Sequence, residues 1–256
     1  MFLIITKMKK GIRTILLFVF LFGFTNCEME KSNIVYNKQY IDEIKAVKKV
    51  FTFYLLGNNI PGGTVAVMKD GKIIYSEGIG LASKDLDVPV TRETKFRIGQ
   101  LSELFTSFIY LRMVEEGILN SDSLVQHYFS DFPEKEFPIT LRQLADQTSG
   151  LRDARNKELN WDGLNVSILK GIDNFKNDTL FYMPGFVQTD CMFHYNLLGA
   201  IMEKATKKNF NKILKDYVTD TLELANTEID NPFVTIKGRT NFYDHSFISQ
   251  TVNATF

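Results

Sequence analysis

Residues 96–114, FRIGQLSELFTSFIYLRMV, limit the folds open to this chain more than any other stretch. Leu101, Leu104, Phe105, Phe108, Leu111 and Val114 fall mostly at steps of three and four, the spacing of one helical face. The pattern predicts a buried helix, entered through a short extended segment and Gly99. Glu116-Gly117 supplies the stop, with glycine where a left-handed cap is needed. Gln100 and Glu103 stand one turn apart at the mouth of this helix, so their side chains share one space.

The remaining elements arrange themselves around it. Residues 40–56 read as an amphipathic helix with Ile41, Ile44, Val47, Phe51 and Tyr54 in one stripe. The run Asn58-Asn59-Ile60-Pro61-Gly62-Gly63 ends it. Residues 64–68 and 72–75 alternate as strands about an Asp70-Gly71 turn, a hairpin signature. Gly78 and Gly80 are expected to loosen the end of the second strand, and residues 87–91 to be extended. Short helices follow at 122–129 and from Thr140, where Thr140 and Gln143 have capping-box spacing. Residues 152–185 read as loops with one short helix near 166–171. Two apolar helices are expected at 195–206 and 210–218, and residues 235–256 carry only fragments of strand character.

A chain of 256 residues is long enough for a sizeable core. Its 30 basic and 30 acidic residues leave no field to attract nucleic acid. The first residues look like a targeting segment. Lys9, Lys10 and Arg13 precede an apolar run at 15–24, about half of the ~20 residues that span a bilayer. Cys27 follows that run directly, as in a bacterial lipoprotein signal, and is read as the acylated residue. Residues 1–27 are therefore assigned to the signal and 28–37 to a tether. The expected location is the bacterial envelope, with membrane attachment through the lipid on Cys27.

Several motifs, in order, resemble the serine beta-lactamase and penicillin-binding-protein family, most closely its class C-like serine hydrolases. They are Ile60-Pro61-Gly62-Gly63, the hairpin at Lys69-Asp70-Gly71-Lys72, Phe96-Arg97-Ile98-Gly99, Ile139-Thr140-Leu141-Arg142-Gln143-Leu144, Thr148-Ser149-Gly150-Leu151, Pro184-Gly185 and Tyr195-Asn196-Leu197-Leu198-Gly199-Ala200. The resemblance implies a mixed α/β (α+β-like) serine beta-lactamase-like fold, with an antiparallel sheet and a helical domain. It also implies that residues 38–256 form an incomplete domain lacking the last strands and final helix. One strand edge is then expected to be unpartnered, with weak stability or a completing partner as the consequence.

The same resemblance bears on chemistry. The family sets a nucleophilic serine at the helix start and a lysine three residues on, because a serine hydroxyl needs a neighbouring base. Here those positions are Gln100 and Glu103. The family's Tyr-x-Asn falls on Asp190-Cys191-Met192, and Gln147 stands where relatives carry histidine. An amide makes no stable acyl-enzyme, and Ser102 has Phe105, not a base, three residues on. The implied reading is a pseudoenzyme without cofactor or metal that keeps a cleft for a cell-wall peptide or a small acyl ligand. A functionless truncated fragment, or a hydrolase using altered residues, are the alternatives. Other chemistry weighs less. Glu103 and Asp190 could act as a glycosidase-like carboxylate pair. Cys191 with His194 offers a thiol and an imidazole, or with Asp190 a partial metal site. A small buried residue in a core segment is the simpler account of Cys191.

Overall fold

The computed structural model describes residues 34–155, 167–231, 234–243 and 249–250. The signal, Cys27, Trp161 and His245 lie outside them. The chain forms two compact units, one running to Leu81 and including Pro89–Arg92, the other made of Ala82–Val88 and the chain from Glu93 on.

The first unit holds most of the sheet, with Ala82, Ser83 and Val88 belonging to the second. The sheet's strands are β1 (Ile34–Tyr36), β2 (Gly62–Lys69), β3 (Lys72–Ser83) and β4 (Val88–Pro89), with β3 between β1 and β2 and β4 also on β3. Asp70 and Gly71 both have positive φ, 49° and 71°, as a two-residue turn between right-twisted strands requires. The strand β3 does not loosen at its glycines. Gly78 and Gly80 stay paired with Thr64 and Gly62, and their missing side chains allow close approach. A Cβ at Gly78 would lie 2.6 Å from the Val90 carbonyl oxygen, and one at Gly80 2.3 Å from that of Pro61. Residues 34–36, placed in the tether on sequence grounds, pair with β3 as β1. The sheet is therefore larger than the expected lone hairpin. The outer edge of β2 has no partner strand among the described residues.

Helix α1 (Ile41–Gly57) packs on β2. Its inward residues are Ile44, Val47, Phe51 and Leu55; of the expected stripe, Ile41 is exposed at the helix start and Tyr54 faces solvent. Leu55 takes that place because a step of four from Phe51 follows the helical turn better than a step of three at this point. A buried carboxylate locks helix to sheet: Lys48 Nζ donates to Glu77 Oε1 at 2.6 Å and Tyr75 OH to Glu77 Oε2 at 2.9 Å. Such pairing is what makes a buried charge tolerable.

The second unit is helical: α2 (Ser102–Glu115), α3 (Val125–Tyr128), α4 (Leu141–Ala145), α5 (Ile168–Ile172), α6 (Met192–Thr206) and α7 (Phe210–Leu214), followed by the strand pair β5 (Phe242–Tyr243) and β6 (Ser249–Gln250). Helix α6 is the centre. Phe193, His194 and residues 196–202 are all buried, so it is covered on every side, by α2, α3, α4, α5 and α7. Gly171 permits the closest approach, since a Cβ there would meet Asn196 Nδ2 at 2.8 Å. Thr140 and Gln143 form the expected capping box at α4. Among the described residues no helix is long and apolar enough to cross a membrane.

Helix α2 forms where expected but buries a shifted face: Phe105 and Val114 of the expected stripe pack against the core, and the rest of that stripe does not. Thr106, Ile109, Tyr110 and Met113 point inward. Leu101, Leu104 and Leu111 are 59%, 67% and 57% exposed. Both stripes have helical spacing, and period alone does not say which one meets a neighbour. Packing decides: the inward stripe joins the core cluster with Leu197, Leu198 and Ile201.

Candidate functional site

The mouth of α2 opens onto a cavity of about 600 Å³ lined by Ile98, Gln100, Leu101, Glu103, Leu104, Ser107, Gln147 and Tyr195, all within the second unit. Local backbone geometry sets each polar group there. Gly99, at φ 55°, turns the chain into a short 3-10 turn (Gly99–Leu101), which places Gln100 ahead of α2. One turn later Glu103 lies in the first turn of the helix.

Gln147 arrives by a helix stop. The Thr148 N–H donates to the Gln143 carbonyl at 2.8 Å and the Gln147 N–H to that of Leu144 at 3.1 Å, the paired bonds of a Schellman cap. That cap needs a left-handed residue, and Gln147 takes it at φ 58°. Glycine would fill the position more cheaply. The strained glutamine instead carries a side chain into the cavity, donating from Nε2 to Glu103 Oε2 at 3.3 Å and to Tyr195 OH at 3.4 Å.

Asp190 is held next to this corner, because the Thr189 N–H donates to the Gln147 carbonyl at 3.0 Å. Cys191, extended at φ −149°, then caps α6. Gln100 Nε2 donates to Asp190 Oδ2 at 3.0 Å. The site is thus two amides each turned onto a carboxylate. Glu103 titrates above the usual carboxylate range, first through burial and then through the charge of Asp190. Among the described residues no lysine, arginine or histidine lines the cavity.

The sequence-derived positions Gln100, Glu103 and Asp190 therefore come together. Gln147, noted in sequence for standing before Thr148-Ser149-Gly150 where relatives carry histidine, is the hub between Glu103 and Tyr195. Tyr195 and Ser107 were not singled out. Tyr195 had a signal in its place on the first turns of an apolar helix, five residues after Asp190; Ser107 lies one turn beyond Glu103 on α2.

Cys191 and His194 do not form a reactive pair. Cys191 is fully buried, its Sγ donates to the Arg152 carbonyl at 2.9 Å, and burial pushes the thiol up to about 11. His194 is fully buried with neither ring nitrogen hydrogen-bonded, and burial lowers it to about 4. Among the described residues no three His, Cys, Asp or Glu side chains are placed to hold a metal.

The beta-lactamase family profile matches residues 38–253. The chain belongs to the beta-lactamase family. Among curated relatives, Protein flp of Staphylococcus aureus (strain MW2) is 25% identical over 190 residues, covering 73% of this chain and 38% of Flp. The mitochondrial serine beta-lactamase-like protein LACTB of Homo sapiens is 26% identical over 265 residues, covering 77% of this chain and 48% of LACTB. The chain thus spans less than half the length of these relatives. The beta-lactamase-like fold is shared with the octameric penicillin-binding protein homologue from Pyrococcus abyssi at TM-score 0.72, 21% identity, 81% of this chain and 50% of that one. A class C beta-lactamase superposes at TM-score 0.70 with 23% identity, covering 83% of this chain and 58% of that chain. Within this serine hydrolase family, the chain carries glutamine and glutamate where the resemblance places serine and lysine.

Proposed function

We propose that this beta-lactamase family member has lost acyl-serine chemistry and keeps its cleft for binding, a pseudoenzyme of the bacterial envelope. The observation that supports this most is the Gln100–Asp190 hydrogen bond at 3.0 Å. It fixes an amide in the nucleophile's place and engages it with a carboxylate in the tyrosine's place. An amide nitrogen is delocalised and forms no acyl-enzyme, and Glu103 supplies no amine to activate a hydroxyl. The fixed hydrogen bonds leave the cavity shaped for a ligand, a cell-wall peptide or a small acyl compound. The lipid on Cys27 would hold the protein at the membrane.

A fluorophosphonate probe tests the chemistry. No covalent adduct is expected on the full chain, and an adduct on any serine overturns the reading. Palmitate incorporation in the bacterial host tests the anchor. Label is expected on the native chain and none on Cys27→Ala; native protein without label removes the anchor.

A further inference from the structure

The cavity's charge and its walls together select a ligand. Glu103 lines it, Asp190 is held against Gln100, and neither carboxylate is ion-paired among the described residues. Both amides already donate to these carboxylates, so the acids are held in position rather than mobile. Burial and the Asp190 charge both oppose ionisation of Glu103; a cation seated there relieves the second and offsets the first.

One wall is apolar, beside the polar side formed by Gln100, Glu103, Ser107, Gln147 and Tyr195. Ile98, Leu101 and Leu104 line the cavity. Phe108 and Leu111 continue the exposed stripe along α2, at steps that keep them on one face. The combination complements an alkyl chain that ends in a positive charge. A carboxylate would meet like charge, and a neutral chain would leave the acids unpaired.

We propose, building on the binding reading above, that the cavity recognises a primary aliphatic amine, its ammonium against Glu103 and Asp190 and its methylenes along Leu101 and Leu104. The class narrows the ligand to an amine-bearing molecule and argues against a free carboxylate as the group held at this point.

Calorimetric titration of the full chain near neutral pH, with hexylamine, hexanol and hexanoate as probes, tests it. Hexylamine is expected to bind, and to bind more weakly as salt rises. Hexanol and hexanoate are expected to bind at least about tenfold more weakly. Glu103→Gln keeps the side chain's shape and is expected to weaken hexylamine by about tenfold or more; Asp190→Asn, on a separate loop, is expected to weaken it in the same direction. Equal binding of hexanol or hexanoate overturns the inference, and so does unchanged hexylamine affinity in both variants. A fluorophosphonate adduct would show that the binding reading itself fails. Absence of both adduct and amine binding would sink the amine inference alone.

Discussion

His194→Leu should make the protein less sensitive to acid. The imidazole is fully buried in α6, and neither ring nitrogen has a partner. Burial holds the group at about 4 rather than 6.5, outweighing the nearby Cys191 backbone and the charges of Asp153 and Asp190, which favour its protonated form. In the unfolded chain it returns to its ordinary value. Between those two values the unfolded state binds the extra proton, so stability is full above about 6.5 and falls as pH drops toward 4. The full gap corresponds to about 3 kcal/mol, of which about 2 kcal/mol is lost by about pH 4.5. Leucine has no proton to gain. Urea unfolding of both proteins at neutral pH and near pH 4.5 measures the effect as a double difference, in which other titrating groups cancel. The native chain should lose about 2 kcal/mol more than His194→Leu over that interval. At neutral pH the variant should be no less stable, since it removes two unpaired buried nitrogens. Equal acid losses in both proteins would refute the reasoning.

Leu197→Ala, in the fully buried centre of α6, should cost about 3 kcal/mol in urea unfolding, whereas Leu104→Ala on the exposed face of α2 should cost less than about 0.5 kcal/mol. A reversed order would mean that the other face of α2 is the buried one. Gln147→Gly relieves a left-handed glutamine and should leave the thermal midpoint unchanged or higher; a fall of several degrees would show that the Glu103 and Tyr195 hydrogen bonds outweigh the strain. Restoring serine and lysine together, as Gln100→Ser with Glu103→Lys, should give no nitrocefin hydrolysis, because Asp190 still occupies the tyrosine position. Turnover by that double variant would show that the other altered positions are compatible with catalysis.

Local signals carried much of the architecture. The Asp70-Gly71 turn, the Thr140–Gln143 capping box and the glycine stop at Gly117 are short-range devices, and each is present where the residues require it. Long-range choices were not legible. Nothing local says that residues 34–36 pair with β3, because a three-residue strand acquires its register only from its neighbour. Helix α2 carries apolar residues on two faces, and the choice between them came from packing against α6. At the site, the positions of Gln100, Glu103 and Asp190 followed from motif spacing. The direct Gln100–Asp190 bond and the bonds from Gln147 to Glu103 and Tyr195 did not, since they depend on a helix cap meeting the start of another helix.

The account stands or falls on whether the cavity can still be acylated. Intact-mass measurement after prolonged incubation with a penicillin tests this most directly. The account expects the unmodified mass, at acidic as well as neutral pH, since neither protonation state of Glu103 supplies an amine base. A stoichiometric penicilloyl adduct, mapped to Ser102, Ser107 or any other serine, would contradict it.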